Sequence, residues 1–166
     1  MAKIVHKNRL FRVEELKMKG HSIYRVVEED VAVILAFIDK DHIFMEKQMR
    51  PSIGKVLYEI PAGHINKNED PVKAANRELE EETGYKAMKL KLLTKYYISP
   101  GSATTFQYIF VATDLVKGKI SRDPDEKMDL FKMSLKKAYG LVKSGKIIDA
   151  KTIMAITCYM DNRKVR

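Results

Sequence analysis

The run RELEEE (residues 77–82) sets four carboxylates within six residues of a chain whose overall balance is basic, 31 Lys+Arg against 22 Asp+Glu. On a helix, Glu78, Glu81 and Glu82 stand at i, i+3 and i+4. Their side chains therefore emerge on one face, within reach of a common point. Leu79 points the other way, toward a core. Like charges at these spacings repel, so three converging carboxylates are costly unless a cation stands among them. Hard divalent cations are the natural partner: Mg²⁺ takes oxygen ligands and keeps coordination sites for water and phosphate oxygens. The turn Pro61-Ala62-Gly63 can bring a backbone carbonyl to the same ion. Arg77, about 100° round the helix from Glu78, is expected to reach back to Glu69 and pin the preceding loop. A solvated acidic face is the plainer reading of any single Glu pair. Against it stand the unrelieved repulsion of this face and the longer pattern that contains it.

The elements around this face follow from caps and periodicity. Asp70 suits an N-cap, Pro71 the first helical position and Gly84 a C-terminal cap, which predicts a helix over about 71–83. Val72, Ala75 and Leu79 form its apolar stripe. Upstream, FRVEELKM and HSIYRVVEE read as two strands joined at Lys19-Gly20. VAVILAFID and HIFMEKQMR read as a second hairpin whose first strand is buried on both faces. VLYEIPAG is a short strand running into a turn. KLKLLTKYYIS and TTFQYIFVATDL are strands around Pro100-Gly101. Ser134 caps a helix stopped by Gly145, and Asp149 caps a last one, AKTIMAITCYM. The order strands, helix, strands, helices predicts α/β (α+β) layering, a mixed sheet with helices packed on its faces.

The totals bound the rest. With 166 residues the chain is expected to be one domain, residues 1–166, with N-terminal strands over about 1–30 and a catalytic core over 31–166. No apolar run approaches the roughly 18 residues of a membrane span. The stretch MAKIVHKNRLFRVEELK has no apolar core of signal-peptide length. The single Cys158 forms no intrachain disulfide, so a reducing, cytoplasmic setting is expected. The formal net charge of +9 attracts anions. The lysines are dispersed, without the block of five or six that marks a nucleic-acid tail, so a nucleic-acid partner is not expected. His6, His21, His42 and His64 have no metal-ligand spacing.

The glutamate run belongs to a larger pattern: Gly63, five residues, Glu69, seven residues, then Arg77-Glu78-Leu79-Glu80-Glu81-Glu82-Thr83-Gly84-Tyr85. It resembles the Nudix box of the Nudix hydrolases, G-x5-E-x7-R-E-U-x-E-E-x-G-U, with Tyr85 aromatic where an aliphatic residue is usual. Seven fixed residues coincide by chance on the order of 10⁻⁸ per start position. The resemblance implies an α/β/α sandwich and hydrolysis of a nucleoside diphosphate linked to another group. It implies that Glu78, Glu81, Glu82 and the Ala62 carbonyl hold Mg²⁺ or Mn²⁺, with Gly63, Glu69, Arg77 and Gly84 structural.

Further stretches narrow it. EKQMRP, EIPAG, SPG after the box and SGKIIDAKTIMAI are similar to the ADP-ribose pyrophosphatase branch over roughly residues 10–160. The likeness implies that Arg50 contacts substrate phosphate and that Pro100, Gly101 and Ser102 lie by the substrate. It implies a general base on the loop SRDPDEKMDLF: Glu126, with Asp125 and Asp123 as alternatives. It also implies a homodimer whose N-terminal hairpin reaches the partner's site, where Phe11 or Tyr24 would stack on adenine unless they are ordinary sheet residues. Two places depart from the branch: Thr105 stands near a customary acid, and Glu28-Glu29-Asp30 replaces a common His-Pro-Gly. The leading expectation is cleavage of ADP-ribose or a related nucleoside diphosphate sugar to AMP and ribose 5-phosphate. The alternatives are another nucleotide substrate (dinucleoside polyphosphate, NADH, nucleoside triphosphate or capped RNA) and a non-hydrolytic ADP-ribose sensor.

Overall fold

The computed structural model describes residues 2–121 and 128–164. Strand β4 (Val31–Ala36) is its organising element. Every residue of VAVILA is apolar, so both faces of the strand must be covered. Ala32, Ile34 and Ala36 face one way, with Ala74, Ala75 and Leu79 of helix α1 (Pro71–Thr83). Val33 and Leu35 face the other way, with Leu135 and Ala138 of α2 (Leu135–Lys143) and Ala155 and Ile156 of α3 (Ala150–Lys164). The period-2 alternation of a strand thus places helices on both sides, and the α/β/α layering expected from the sequence is what forms.

Strand β4 pairs antiparallel with β7 (Ala62–His64) and parallel with β9 (Phe106–Lys117), which pairs antiparallel with β8 (Tyr85–Tyr97). A second sheet holds β5 (His42–Arg50) between β6 (Lys55–Glu59) and β10 (Met128–Ser134). The hairpin expected between β4 and β5 does not form: the two strands meet only at an isolated bridge, Phe37 to Ile43. Both hydrogen-bonding edges of β4 are taken by β7 and β9, so β5 must turn into another sheet. The N-terminal hairpin is also larger than expected. β1 (Lys3–Lys7) joins β2 (Phe11–Met18) and β3 (His21–Glu28) in a three-stranded antiparallel sheet. All five β1 residues are exposed, so no burial pattern marked the strand.

The caps of α1 are as expected. The Asp70 carboxylate accepts from the N–H groups of Val72 and Lys73. Gly84 takes the left-handed conformation at φ 76° and donates its N–H to the Glu80 carbonyl at 2.8 Å. The apolar stripe is shorter than expected. Val72 shares the side of Leu79 but lies two turns ahead of it and is 46% exposed, while the small Ala74 is fully buried. Among the described residues no helix is long and apolar enough to cross a membrane.

A Cβ on Gly84 would stand 2.7 Å from Cγ1 of Ile120, an exposed side chain with room to move. Backbone strain therefore sets the magnitude of Gly84→Ala, about 1–2 kcal/mol. Asp70→Ala removes the N-cap and costs about 1 kcal/mol. Urea denaturation of both variants should show these losses with unchanged m-values; a Gly84→Ala protein as stable as the parent would contradict the left-handed cap.

Candidate active site

Helix α1 carries the acidic face, and its position is fixed at both ends by the caps. Burial of Ala74, Ala75 and Leu79 sets its rotation. Glu78 and Glu82 are then turned toward β7, while Glu81 is more exposed. Their repulsion is not left unrelieved. Arg77 Nη1 donates to Glu78 at 2.6 Å and to Glu81 at 3.1 Å. Its Nε and Nη2 grip both oxygens of Glu69 at 3.0 and 2.9 Å, and Nη2 also donates to the His64 carbonyl at 2.9 Å. The long planar fork spans the 100° that separates it from its neighbour and serves five acceptor oxygens on four residues at once. The expected pinning of the loop by Glu69 is present, and neutralisation of the acidic face comes with it.

Gly63 and Glu82 join the helix to the strand ahead of it. A Cβ at Gly63 would stand 2.1 Å from the carboxyl carbon of Glu78, so only glycine lets that carboxylate lie against the backbone. The Glu82 carboxylate, almost wholly buried, accepts the Ala62 N–H at 3.1 Å. Glu80, the fourth carboxylate of the run, faces elsewhere and binds Lys119 N–H and Lys86.

Across a cleft of about 370 Å³ from Glu78 and Glu82 stands a cationic wall. Alternation along β5 puts Gln48 and Arg50 on the cleft side. Arg50 grips both oxygens of Glu59 at 2.7 and 2.5 Å. Lys151, in the first turn of α3, lines the same cleft. Its Nζ donates to Glu59 and, at 3.0 Å, to Asp149. Burial works to raise the Glu59 pKa, but Arg50 and Lys151 outweigh it and hold the carboxyl below its usual range. Asp149 caps α3 through Thr152, whose hydroxyl accepts the Ile60 N–H at 3.1 Å. Glu59, Lys151, Gln48 and Gln107 are cleft residues or supports that sequence reasoning missed. EIPAG and DAKT flank them, and the two-residue rhythm of EKQMR was the available signal for Gln48.

Of the residues expected to act together, Arg50, Ala62, Gly63, Glu78 and Glu82 line this cleft. Glu81 is held beside Glu78 through Arg77. Pro100, Gly101 and Ser102 do not line it; their loop docks on β3, where the Ser102 carbonyl accepts the Val26 N–H at 2.8 Å. The two departures from the branch meet each other: the Thr105 hydroxyl donates to the Glu28 carboxylate, and Asp30 accepts the Phe106 N–H. Phe11 touches the His6 ring, and Tyr24 is exposed. Glu126, Asp125 and Asp123 lie outside the described residues.

The donor set fits a hard divalent cation, being three carboxylates and a main-chain carbonyl, all oxygen. As they stand, however, no three His, Cys, Asp or Glu side chains among the described residues are close enough together to hold an ion. Here Arg77 pairs with Glu78 and Glu81, and Glu82 accepts from the Ala62 N–H.

The Glu69–Arg77 pair has a pH signature. Hydrogen bonds from Arg77, helped by the Asn66 N–H, lower the Glu69 pKa from 4.5 to about 2. A lowered folded-state pKa means that the contribution to stability is present above pH 4.5 and is lost as pH falls through about 2. Glu69→Gln should therefore be less stable than the parent at pH 6, with the gap narrowing steadily toward pH 3. Urea midpoints across that range check this; a constant gap would mean that the pair carries no such linkage.

The family model described as the NUDIX domain matches residues 28–156. The ADP-ribose pyrophosphatase of Bacillus subtilis (strain 168) is 42% identical over 125 residues, 74% of this chain and 68% of that protein. The methanol dehydrogenase activator of Bacillus methanolicus is 38% identical over 125 residues, with the same shares of 74% and 68%. A crystal structure of an ADP compounds hydrolase shares the fold, with a TM-score of 0.83 over 99% of this chain and 92% of that one at 23% identity. Nudix hydrolases generally use divalent metals. With its glutamate helix, the Gly63 contact and a matching family model over most of its length, the chain belongs to the Nudix family of hydrolases.

Proposed function

We propose that the protein hydrolyses the pyrophosphate bond of ADP-ribose or a related nucleoside diphosphate sugar, in a reaction that needs a divalent cation, and releases AMP and ribose 5-phosphate. The observation that carries this reading is one cleft with carboxylates Glu78 and Glu82 on one wall and Arg50 and Lys151 on the other. A diphosphate presents oxygens to cations on both sides of itself, and such a cleft supplies cations from one side and cation ligands from the other. The names of the similar Bacillus subtilis and ADP compounds proteins support the substrate class.

Glu78, Glu81, Glu82 and the Ala62 carbonyl would hold Mg²⁺ or Mn²⁺. Such an ion supplies charge neutralisation at the phosphate oxygens and a lowered pKa for bound water. Arg50, oriented by Glu59, binds and orients the diphosphate as a planar guanidinium at the cleft. Glu126 takes the proton of the attacking water, with Asp125 and Asp123 as the alternatives. The loop of Pro100, Gly101 and Ser102, docked on β3 outside this cleft, would meet only a part of the substrate that extends beyond the diphosphate. The N-terminal sheet exposes Ile4, Val5, Ile23 and Tyr24, and on this reading it forms a homodimer. Sedimentation should then give a mass near twice that of the chain, and a monomer at micromolar concentration would rule the dimer out.

The reaction is tested with ADP-ribose and Mg²⁺ in ¹⁸O-enriched water. Water oxygen should enter one of the two product phosphates while the leaving oxygen takes up the proton. Mass spectrometry of AMP and ribose 5-phosphate identifies the phosphorus attacked. Glu82→Gln should lower kcat roughly 10²–10⁴-fold, and a chelator should stop turnover. Turnover of NADH, dinucleoside polyphosphates or a nucleoside triphosphate in place of ADP-ribose would move the substrate. Binding of ADP-ribose without turnover would overturn the hydrolase.

A further inference from the structure

The ion pairs around Glu59 extend beyond what the cleft needs for support. Glu59 is the carboxylate that Arg50 and Lys151 share, and its side chain is 1% exposed. It lies opposite Glu46 in the β5–β6 ladder, so two buried carboxylates stand side by side on one face of the sheet. Burying charge without compensation is costly. Arg50 meets Glu59 from the end of its own sheet, but Lys151 comes from α3, a different layer. Thr152 and Asp149 hold that helix start: the Thr152 hydroxyl accepts from Ile60 N–H, directly after Glu59, and donates to Asp149.

An ammonium has three N–H donors. Lys151 directs one to Glu59 and one to Asp149. Among the described residues no acceptor takes the third. The side chain is 11% exposed, and it lines the cleft that also holds Arg50, Glu78 and Glu82. Two cations are therefore tied to one carboxylate at the same wall. Arg50 offers a planar fork and Lys151 a compact point charge.

We infer that Lys151 is a second direct contact for the diphosphate, and that Glu59 is a positioning residue that holds Lys151 and Arg50 at a fixed spacing in the cleft. This inference rests on the diphosphate hydrolysis proposed above. Substrate binding here adds an acceptor to the third Lys151 donor without breaking the pairs that already hold it. The wall thereby stays preorganised in the free protein, and side-chain ordering adds little to the cost of binding.

The test compares Lys151→Met and Lys151→Arg with the parent. Steady-state kinetics with ADP-ribose and saturating Mg²⁺ are measured beside calorimetric titration of inorganic pyrophosphate. Lys151→Met should raise KM and weaken pyrophosphate binding together, each by about 10-fold or more, while kcat changes by less than about 3-fold. Lys151→Arg keeps the charge and should recover most of both losses. A purely structural lysine would instead lower the melting temperature and the active fraction and leave KM and pyrophosphate affinity alone, which would overturn the contact. Glu59→Gln should raise KM as Lys151→Met does, and adding it to Lys151→Met should cost less than the two effects multiplied. Full multiplicative loss would remove the positioning assignment. A parent protein that neither turns over ADP-ribose nor binds pyrophosphate would overturn the hydrolytic reading itself, and this inference with it.

Discussion

Concentrated like charge on one turn of helix is the constraint around which this molecule is arranged. Three glutamates on one face of α1 repel, and the fold answers with a single guanidinium. Arg77 neutralises Glu78 and Glu81 and, with its remaining donors, closes the preceding loop through Glu69 and the His64 carbonyl. One side chain therefore joins three segments, and the strand that carries Gly63 is held against the helix that carries Glu78. Local electrostatic relief and long-range chain closure are the same interaction here. The arrangement also orients carboxylate oxygens, the ligands that a hard divalent cation takes.

The opposite wall solves the complementary problem. There, buried carboxylates need positive partners, and the partners come from two layers. Arg50 belongs to the β5–β6 sheet, and Lys151 to α3 on the far side of the core cluster that contains Val33, Ile60 and Ile156. The charges of the cleft thus lie at the seams between elements. Apolar burial brings the layers together, and the ion pairs then select how the layers are seated, since a misplaced helix would leave Glu59 without its second cation.

Much of this was legible in the residues and some of it was not, for physical reasons. Asp70, Pro71 and Gly84 act on backbone groups within a few positions of themselves, so the limits of α1 could be read locally. The spacing of Glu78, Glu81 and Glu82 is likewise a property of one helix. The expected pairing of β4 with β5 failed because strand partners depend on which hydrogen-bonding edges are already occupied, and no local pattern reports that. β1 was missed because an exposed strand has no alternation between buried and open positions. Lys151 was passed over for a different reason: it lies 92 residues from Glu59, and nothing in AKT announces a partner so distant. The reach of Arg77 was underestimated because helical angle alone ignores the length of the side chain.

The joint between α1 and β8 has a consequence for how this chain can vary. Helix ends at Thr83, strand begins at Tyr85, and Gly84 alone separates them. Such a joint has no slack, so the phase of the helix is geared to the register of the strand. Insertion of one residue at the end of the helix, between Glu82 and Gly84, would turn everything upstream of it by about 100° relative to the sheet. The glutamates would then swing out of the cleft even though each kept its neighbours. Changes in chain length must fall elsewhere, in segments whose ends do not set the rotation of an element.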